Sequence, residues 1–318
     1  MANTFAPNGF GQYRGTGVTP SYEQVEGAIA SGNAGPIYFG DPVTQAVSAT
    51  GIGTGYLVQG YGPVTLTVGA TGIATSSAGV LTVTYSAATA TSGNLPTVWA
   101  PPVGSTIVIN GSTATSANLN GAYTVTSASS TTAVVANSGA TISTTSSASG
   151  TVTVFVPIAG IFVGARYLSI AKQYPAFTRY WSGSDASGDV TAYIVSDPNA
   201  QFEVMTGNSN TTATAIGLSS IGQNISFAYS QSGVTSTNGN TSTGLSTMFA
   251  DQYSLIGNSN AGTPSNEFLP FRIIGLKNYQ IGATSPLQTI NGNDWTSAYN
   301  RIIVGFNNAM PNRPWAGI

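Results

Sequence analysis

From Pro42 to Ala165 the chain carries no Asp, Glu, Lys or Arg. Charge ordinarily keeps soluble domains apart and blunts exposed sheet edges against stray pairing. A stretch this long without it must stay in solution through Ser, Thr, Asn and Gly. Together with its Val, Ile and Thr, that composition suits short β-strands joined by small-residue turns. It also suits a chain displayed on, or locked into, a large assembly.

The wider composition narrows the function classes. At 318 residues and 41% apolar content, the chain has the length and the hydrophobicity to bury real cores, with room for two domains. Charged residues make up only 6% and the net charge is −2. There is no basic surface to neutralise phosphates, so nucleic acid is not an expected partner. Cysteine is absent, which removes disulfides, thiolate chemistry and Cys-ligated zinc. Histidine is absent too, which removes the commonest general base and the side chain that normally titrates near neutrality. No window reaches the ~18 apolar residues of a membrane span, so no membrane partner is expected. Met1–Asn8 has neither the basic start nor the apolar core of a Sec signal peptide, and the expectation is synthesis in a cytoplasm, with any exit by a route other than a cleaved signal.

Four composition shifts divide the chain. Residues 1–20 are aperiodic and rich in Gly, Asn and aromatics, and read as an N-terminal arm. Residues 63–154 form a self-contained block with six strand candidates: Val64–Val68, Val80–Tyr85, Thr106–Ile109, Ala122–Thr126, Thr132–Val135 and Val152–Val156. Strict alternation, as in Leu81-Thr82-Val83-Thr84-Tyr85, predicts half-buried strands of a small sandwich. Residues 21–62 and 155–306 read as a discontinuous β-barrel or sandwich core. Its strands are expected at Val190–Val195, Phe202–Thr206, Ile225–Tyr229, Phe271–Leu276 and Arg301–Phe306, with a hairpin around Ser31–Gly35 and a helical turn or two in Leu245–Leu255. Residues 307–318 read as a C-terminal tail. The fold class is all-β.

Chemistry-bearing spacings are few, and each has a plain structural reading. Ser169 and Lys172 match the S-x-x-K of serine acyl-enzymes, but its companion elements S-D-N and K-T-G are missing. Asp185 and Asp189 place two carboxylates in a Gly/Ser loop able to offer oxygens to Ca²⁺, yet no bidentate Glu follows at the right spacing, and a solvated turn is the favoured reading. Asp197 and Glu203 are candidate glycosidase acids, although nothing singles them out as a pair. Lys172 and Lys277 are the lysines open to a Lys–Asn isopeptide bond, because the block 63–154 contains no Lys. No catalytic, cofactor or metal residue is assigned. The interface candidates are Phe5, Phe10, Tyr13, Arg179, Tyr180, Trp181 and Trp315, since amphipathic aromatics and Arg anchor protein contacts. For Arg179, Tyr180 and Trp181 core filling is the favoured alternative. For Phe5, Phe10 and Trp315, in aperiodic tails, the interface is favoured.

Several strings occur together in a fixed order. They are Ile37-Tyr38-Phe39-Gly40-Asp41-Pro42-Val43, Ile158 through Tyr167, Tyr180-Trp181, Ala192 through Val204, Ala215-Ile216-Gly217-Leu218, Asn240 through Ser246 and Pro270 through Leu276. This order resembles the auxiliary capsid (decoration or cement) proteins of tailed bacteriophages. The block 63–154, with Val103 through Ile109 and Leu119 through Thr126, resembles the small immunoglobulin-like modules of phage virion proteins. The resemblance implies a non-enzymatic virion protein on the capsid exterior, binding the major capsid protein, self-associating as a homotrimer and needing no cofactor. Its attachment is expected to be indifferent to salt and to pH between 5.5 and 8. Two alternatives stay open within structural proteins: the major capsid protein itself, and a tail or fibre receptor-binding protein whose inserted block binds a host-surface glycan. A secreted polysaccharide-acting enzyme is a further class.

Overall fold

The structure, a computed structural model, describes residues 3–14, 24–46, 55–75, 80–90, 95, 99–111, 119–135, 150–233, 238–255, 266–277 and 293–309. Its strands in chain order begin with β1 (Gly11–Arg14), β2 (Gln24–Ile29), β3 (Pro42–Gln45) and β4 (Leu57–Gln59). Next come β5 (Val64–Thr75), β6 (Leu81–Ala90), β7 (Thr106–Asn110), β8 (Gly121–Ala128), β9 (Thr132–Val135) and β10 (Thr151–Phe155). Then follow β11 (Gly160–Leu168), β12 (Pro175–Thr178), β13 (Val190–Val195), β14 (Gln201–Gly207) and β15 (Asn224–Ala228). The last are β16 (Gly239–Asn240), β17 (Leu245–Ser246), β18 (Phe249–Asp251), β19 (Phe271–Leu276) and β20 (Arg301–Phe306). The helical elements among the described residues are single 3₁₀ turns, so the all-β expectation holds.

The six strands of the charge-free block form one closed barrel, in the order β10, β5, β6, β9, β8, β7. Closure comes from β10, which pairs antiparallel with both β5 and β7. Two facing sheets are thus replaced by one sheet that meets itself. Along β6, Leu81, Val83 and Tyr85 point inward while Thr82 and Thr84 stay accessible, as the alternation predicts. The barrel core joins Val64, Leu66, Ile73, Val83, Ile107, Ile109, Val125, Val135, Val152 and Val154, and extends to Ala46, Val58 and Tyr61 outside the block.

A second unit is a ring of pairings. β14 pairs with β20 and β18, β18 with β15, β15 with β19, and β19 with β20. Its interior is aromatic. Phe271 stacks on Phe10 at 4.4 Å and on Phe306 at 6.0 Å, and Phe202 meets Phe306 edge-on at 5.0 Å. The third unit is the sheet β2-β13-β11-β3-β4, with β12 added to β11. β11 divides the two cores. Ile161 faces the aromatic ring, while Phe162 and Ala165 face the cluster of Ile29, Ile37, Val43, Trp181 and Ala192.

Four expectations change on folding. Ser31–Gly35 does not turn β2 back onto the following segment: β2 pairs with β13, and Ile37 bridges Trp181 instead. Leu245–Leu255 instead holds two short strands (β17 and β18) and one 3₁₀ turn at Gln252–Ser254, where the Tyr253 N–H donates to the Asp251 carboxylate. Residues 3–14 of the arm are docked on the chain itself, and β1 pairs with β14. At the far end Ala309 is buried and bridges Ile158, while residues 310–318, Trp315 included, lie outside the described residues.

Two predictions follow from this packing. Phe10 is 1% exposed and fills the aromatic ring from outside its strands. Phe10→Ala should cost about 3–5 kcal/mol in denaturant unfolding, and a loss under ~1 kcal/mol would mean the arm is not part of the core. Separately, Val64 and Val154 are direct cross-strand partners, roughly 5 Å apart at Cα. A variant joining Gly62 to Phe155 through a short Gly/Ser linker should keep a cooperative thermal transition, at a lower midpoint because Tyr61 loses Trp99 and Leu269 loses Val108. Absence of any cooperative transition would show that the other two units depend on the barrel.

Candidate functional site

Three of the residues singled out in the sequence, Phe10, Arg179 and Tyr180, meet around one tight turn, Tyr38–Asp41. Arg179, Tyr180 and Trp181 follow β12 and alternate in direction. Trp181 points inward, is fully buried, and donates its Nε1–H to the carbonyl of Asn33 at 3.1 Å. Tyr180 stacks on Tyr38 at 5.6 Å, and the Arg179 guanidinium lies over Phe39 at 5.6 Å. Core filling therefore accounts for Trp181, while Tyr180 and Arg179 clamp the turn from outside. The short β16–β17 hairpin closes the other flank. Phe39 N–H donates to Gly244 O and Ser246 N–H to Phe39 O. Gly239 lies flat on the Tyr38 ring, where an added Cβ would fall 2.2 Å from a ring carbon.

The arm reaches the same turn. Phe10 N–H donates to Gly40 O at 2.9 Å, and Gly40 has φ +89° with room for no Cβ beside the Phe10 nitrogen. Phe10 is thereby removed from any outer surface. Phe5 is half-buried against Phe249 and Tyr299. Tyr13 lies under the Lys277 ammonium, 4.4 Å from the ring centre, and Lys277 in turn pairs with Glu203 at 2.7 Å. Glu203 also takes Arg301 at 3.2 Å. These contacts give Lys277 and Glu203 structural partners. Asp197 accepts the Asn199 N–H in a turn.

The other spacings resolve into local bonding. Ser169 meets Lys172 through the backbone N–H of Lys172, and its hydroxyl donates to Asp185 at 2.7 Å. Asp189 accepts from Ser31 N–H and from the Tyr56 hydroxyl. Asp185 and Asp189 thus serve different neighbours, and among the described residues no group of three acids is placed to hold a metal ion.

At the centre of the turn is a residue that sequence reasoning passed over. Asp41 is 0% exposed. Its Oδ2 accepts from Tyr38 N–H and Gln59 Nε2, both at 2.8 Å, whereas Oδ1 has no hydrogen-bond partner. Burial pushes its pKa up to about 7, although Ser246, Tyr38 and Gln59 favour the charged form. Burial raises Tyr229 and Tyr38 as well, and the Asp41 carboxylate adds to both. The sequence signal was available in part: Asp41 is the last charge before the charge-free run, so no nearby cation in sequence balances it. Family models, curated proteins and solved structures yield no match to this chain.

The expectation of indifference to pH between 5.5 and 8 does not extend to the fold itself. A folded pKa raised above the unfolded value of 3.8 means that the native state holds the proton more tightly. The resulting stability is fully present below the unfolded value and is lost as pH rises through about 7. Asp251, raised by burial beside Ser209 and Tyr253, acts in the same sense. Asp185, Asp189 and Asp294 are lowered and act oppositely, but only where pH falls toward the ordinary carboxylate range. Thermal stability should therefore be higher at pH 5 than at pH 8. For Asp41 the difference is about 3 kcal/mol, because the loss runs over roughly two pH units, from pH 5 to about 7, at ~1.4 kcal/mol per unit. Asp41→Asn, which mimics the protonated acid, should flatten most of that slope. An unchanged slope in Asp41→Asn would show that Asp41 is not the group responsible.

Proposed function

We propose that this chain is a non-enzymatic structural protein of a bacteriophage virion, decorating the capsid exterior and stabilising it by bridging major capsid subunits as a homotrimer. The observation that carries this reading is how the charge-free block folds. Its six strands close on themselves, so that a block without charge also has no edge strand. A module of that kind tolerates being crowded at high density beside many copies of itself. That is the situation of a protein repeated over a shell. The acids support the same reading, since the described carboxylates of Asp41, Asp185, Asp189, Glu203, Asp251 and Asp294 are each bonded to structural partners.

Gold-labelled antibody raised against the chain should decorate the heads of purified particles in electron micrographs. Label confined to tail tips would replace this reading with the receptor-binding one, and particles without label would remove it.

A further inference from the structure

One β-hairpin turns its large apolar side chains toward solvent. In β11 and β12, Arg166 lies opposite Phe177 and Leu168 opposite Pro175, with all four on one face. Phe177 is 70% exposed, and Ile170 and Tyr174 at the tip are 60% and 55% exposed. With Leu168, 46% exposed, they place four large apolar side chains in solvent on one hairpin, a feature of the kind that marks an interaction site. The opposite face holds Tyr167, which meets Trp181 edge-on at 5.3 Å.

The hairpin tip is held rigid. Ser169, 1% exposed, donates to Asp185 Oδ2, and Ala171 N–H donates to Asp185 Oδ1, both at 2.7 Å. Ile170 N–H donates to the Asp185 carbonyl, and Ser187 N–H donates to the Leu168 carbonyl. A surface fixed in this way loses little freedom on binding.

Its charge is one-sided. Residues 166–179 contain Arg166, Lys172 and Arg179, three of the eight basic residues, and no acid. Among the described residues none of the three forms an ion pair. Lys172 lends its field to Asp185, whose carboxylate is already bonded to Ser169 and Ala171. The Arg166 guanidinium lies 5.6 Å from the centre of the Phe177 ring, so a cation sits directly against the apolar face at the base of the hairpin.

We propose that the outward face of the β11–β12 hairpin docks onto an acidic protein surface: a partner carboxylate pairs with Arg166 while Leu168, Ile170, Tyr174 and Phe177 fill an adjoining apolar hollow. A bilayer interior would strip water from Arg166 and return no counter-charge, whereas a carboxylate accepts both arms of a guanidinium. The contact is chiefly apolar with one shielded pair, which is compatible with weak dependence on salt. The inference rests on the virion reading, under which the partner is the major capsid protein.

The test is rebinding of the purified full chain to particles stripped of it, read as bound copies against free concentration. Leu168→Ser with Phe177→Ser should weaken binding at least about tenfold, and Arg166→Gln by several-fold. Ile274→Ser, at an exposed apolar position elsewhere, should bind like the wild type. All these side chains are exposed, so thermal midpoints should stay close to wild type and separate lost docking from lost folding. Hairpin variants that rebind like the wild type overturn the proposal. So does wild-type binding to phosphatidylglycerol vesicles, or self-association in sedimentation, that the same substitutions abolish. The antibody labelling locates the chain independently. If it lies off the head, rebinding is measured on the particle part that carries it, and the hairpin is judged by its variants alone.

Discussion

A buried carboxylic acid without a cation organises the centre of this molecule. Around Asp41 meet the N-terminal arm through Phe10 and Gly40, β4 through Gln59, the β16–β17 hairpin through Ser246, and β11 through the Phe162 N–H bonded to the Asp41 carbonyl. A charged carboxylate in such a place is costly, and a neutral one much less so. The fold therefore rests on an acid that keeps its proton up to about neutral pH. Asp41 is fully buried, so no bulk water solvates its carboxyl group.

The charge-free block meets a different constraint, namely how to remain soluble without charged side chains. Closure through β10 gives every strand of the barrel a partner on both sides, so none of the six is an edge strand. Thr and Ser on the outer positions supply hydrogen bonds to water in place of charge. The barrel is nevertheless not isolated from the rest. Trp99 donates to the Tyr61 hydroxyl at 2.9 Å, and Val108 and Phe155 pack on Leu269. These contacts couple a module of independent strand pairing to the units on which it is mounted.

Strand positions were legible because burial on one face imposes a period of two, and Gly, Ser and Asn clusters interrupt it where the chain turns. Val190–Val195, Phe271–Leu276 and Arg301–Phe306 lie where that pattern places them. In Leu245–Leu255 the recurrence of Leu245, Met248, Phe249 and Gln252 at intervals of three and four predicts a helical turn or two. The chain there instead crosses between two short pairings, one with β16 and one with β14 and β15. The interface candidates were identifiable as aromatics but not as inward or outward. Phe10 lies in an aperiodic arm, and its burial depends on a cavity left among strands more than 190 residues away.

By itself the sequence determined the all-β class, the strand-rich charge-free block and the absence of any ordinary neutral-pH titrant, since each follows from composition or from local alternation. Tertiary structure alone decided that the block closes into a barrel, because closure depends on β10 meeting both β5 and β7 across long separations. It also decided that Asp41 titrates near neutrality, because a carboxyl group's pKa is set by the water and charges around it rather than by its neighbours in sequence. The outward turn of Leu168 and Phe177 is likewise a product of packing: Tyr167 and Ala176 take the inner face against Trp181, and strand geometry leaves the alternate residues no place but the surface.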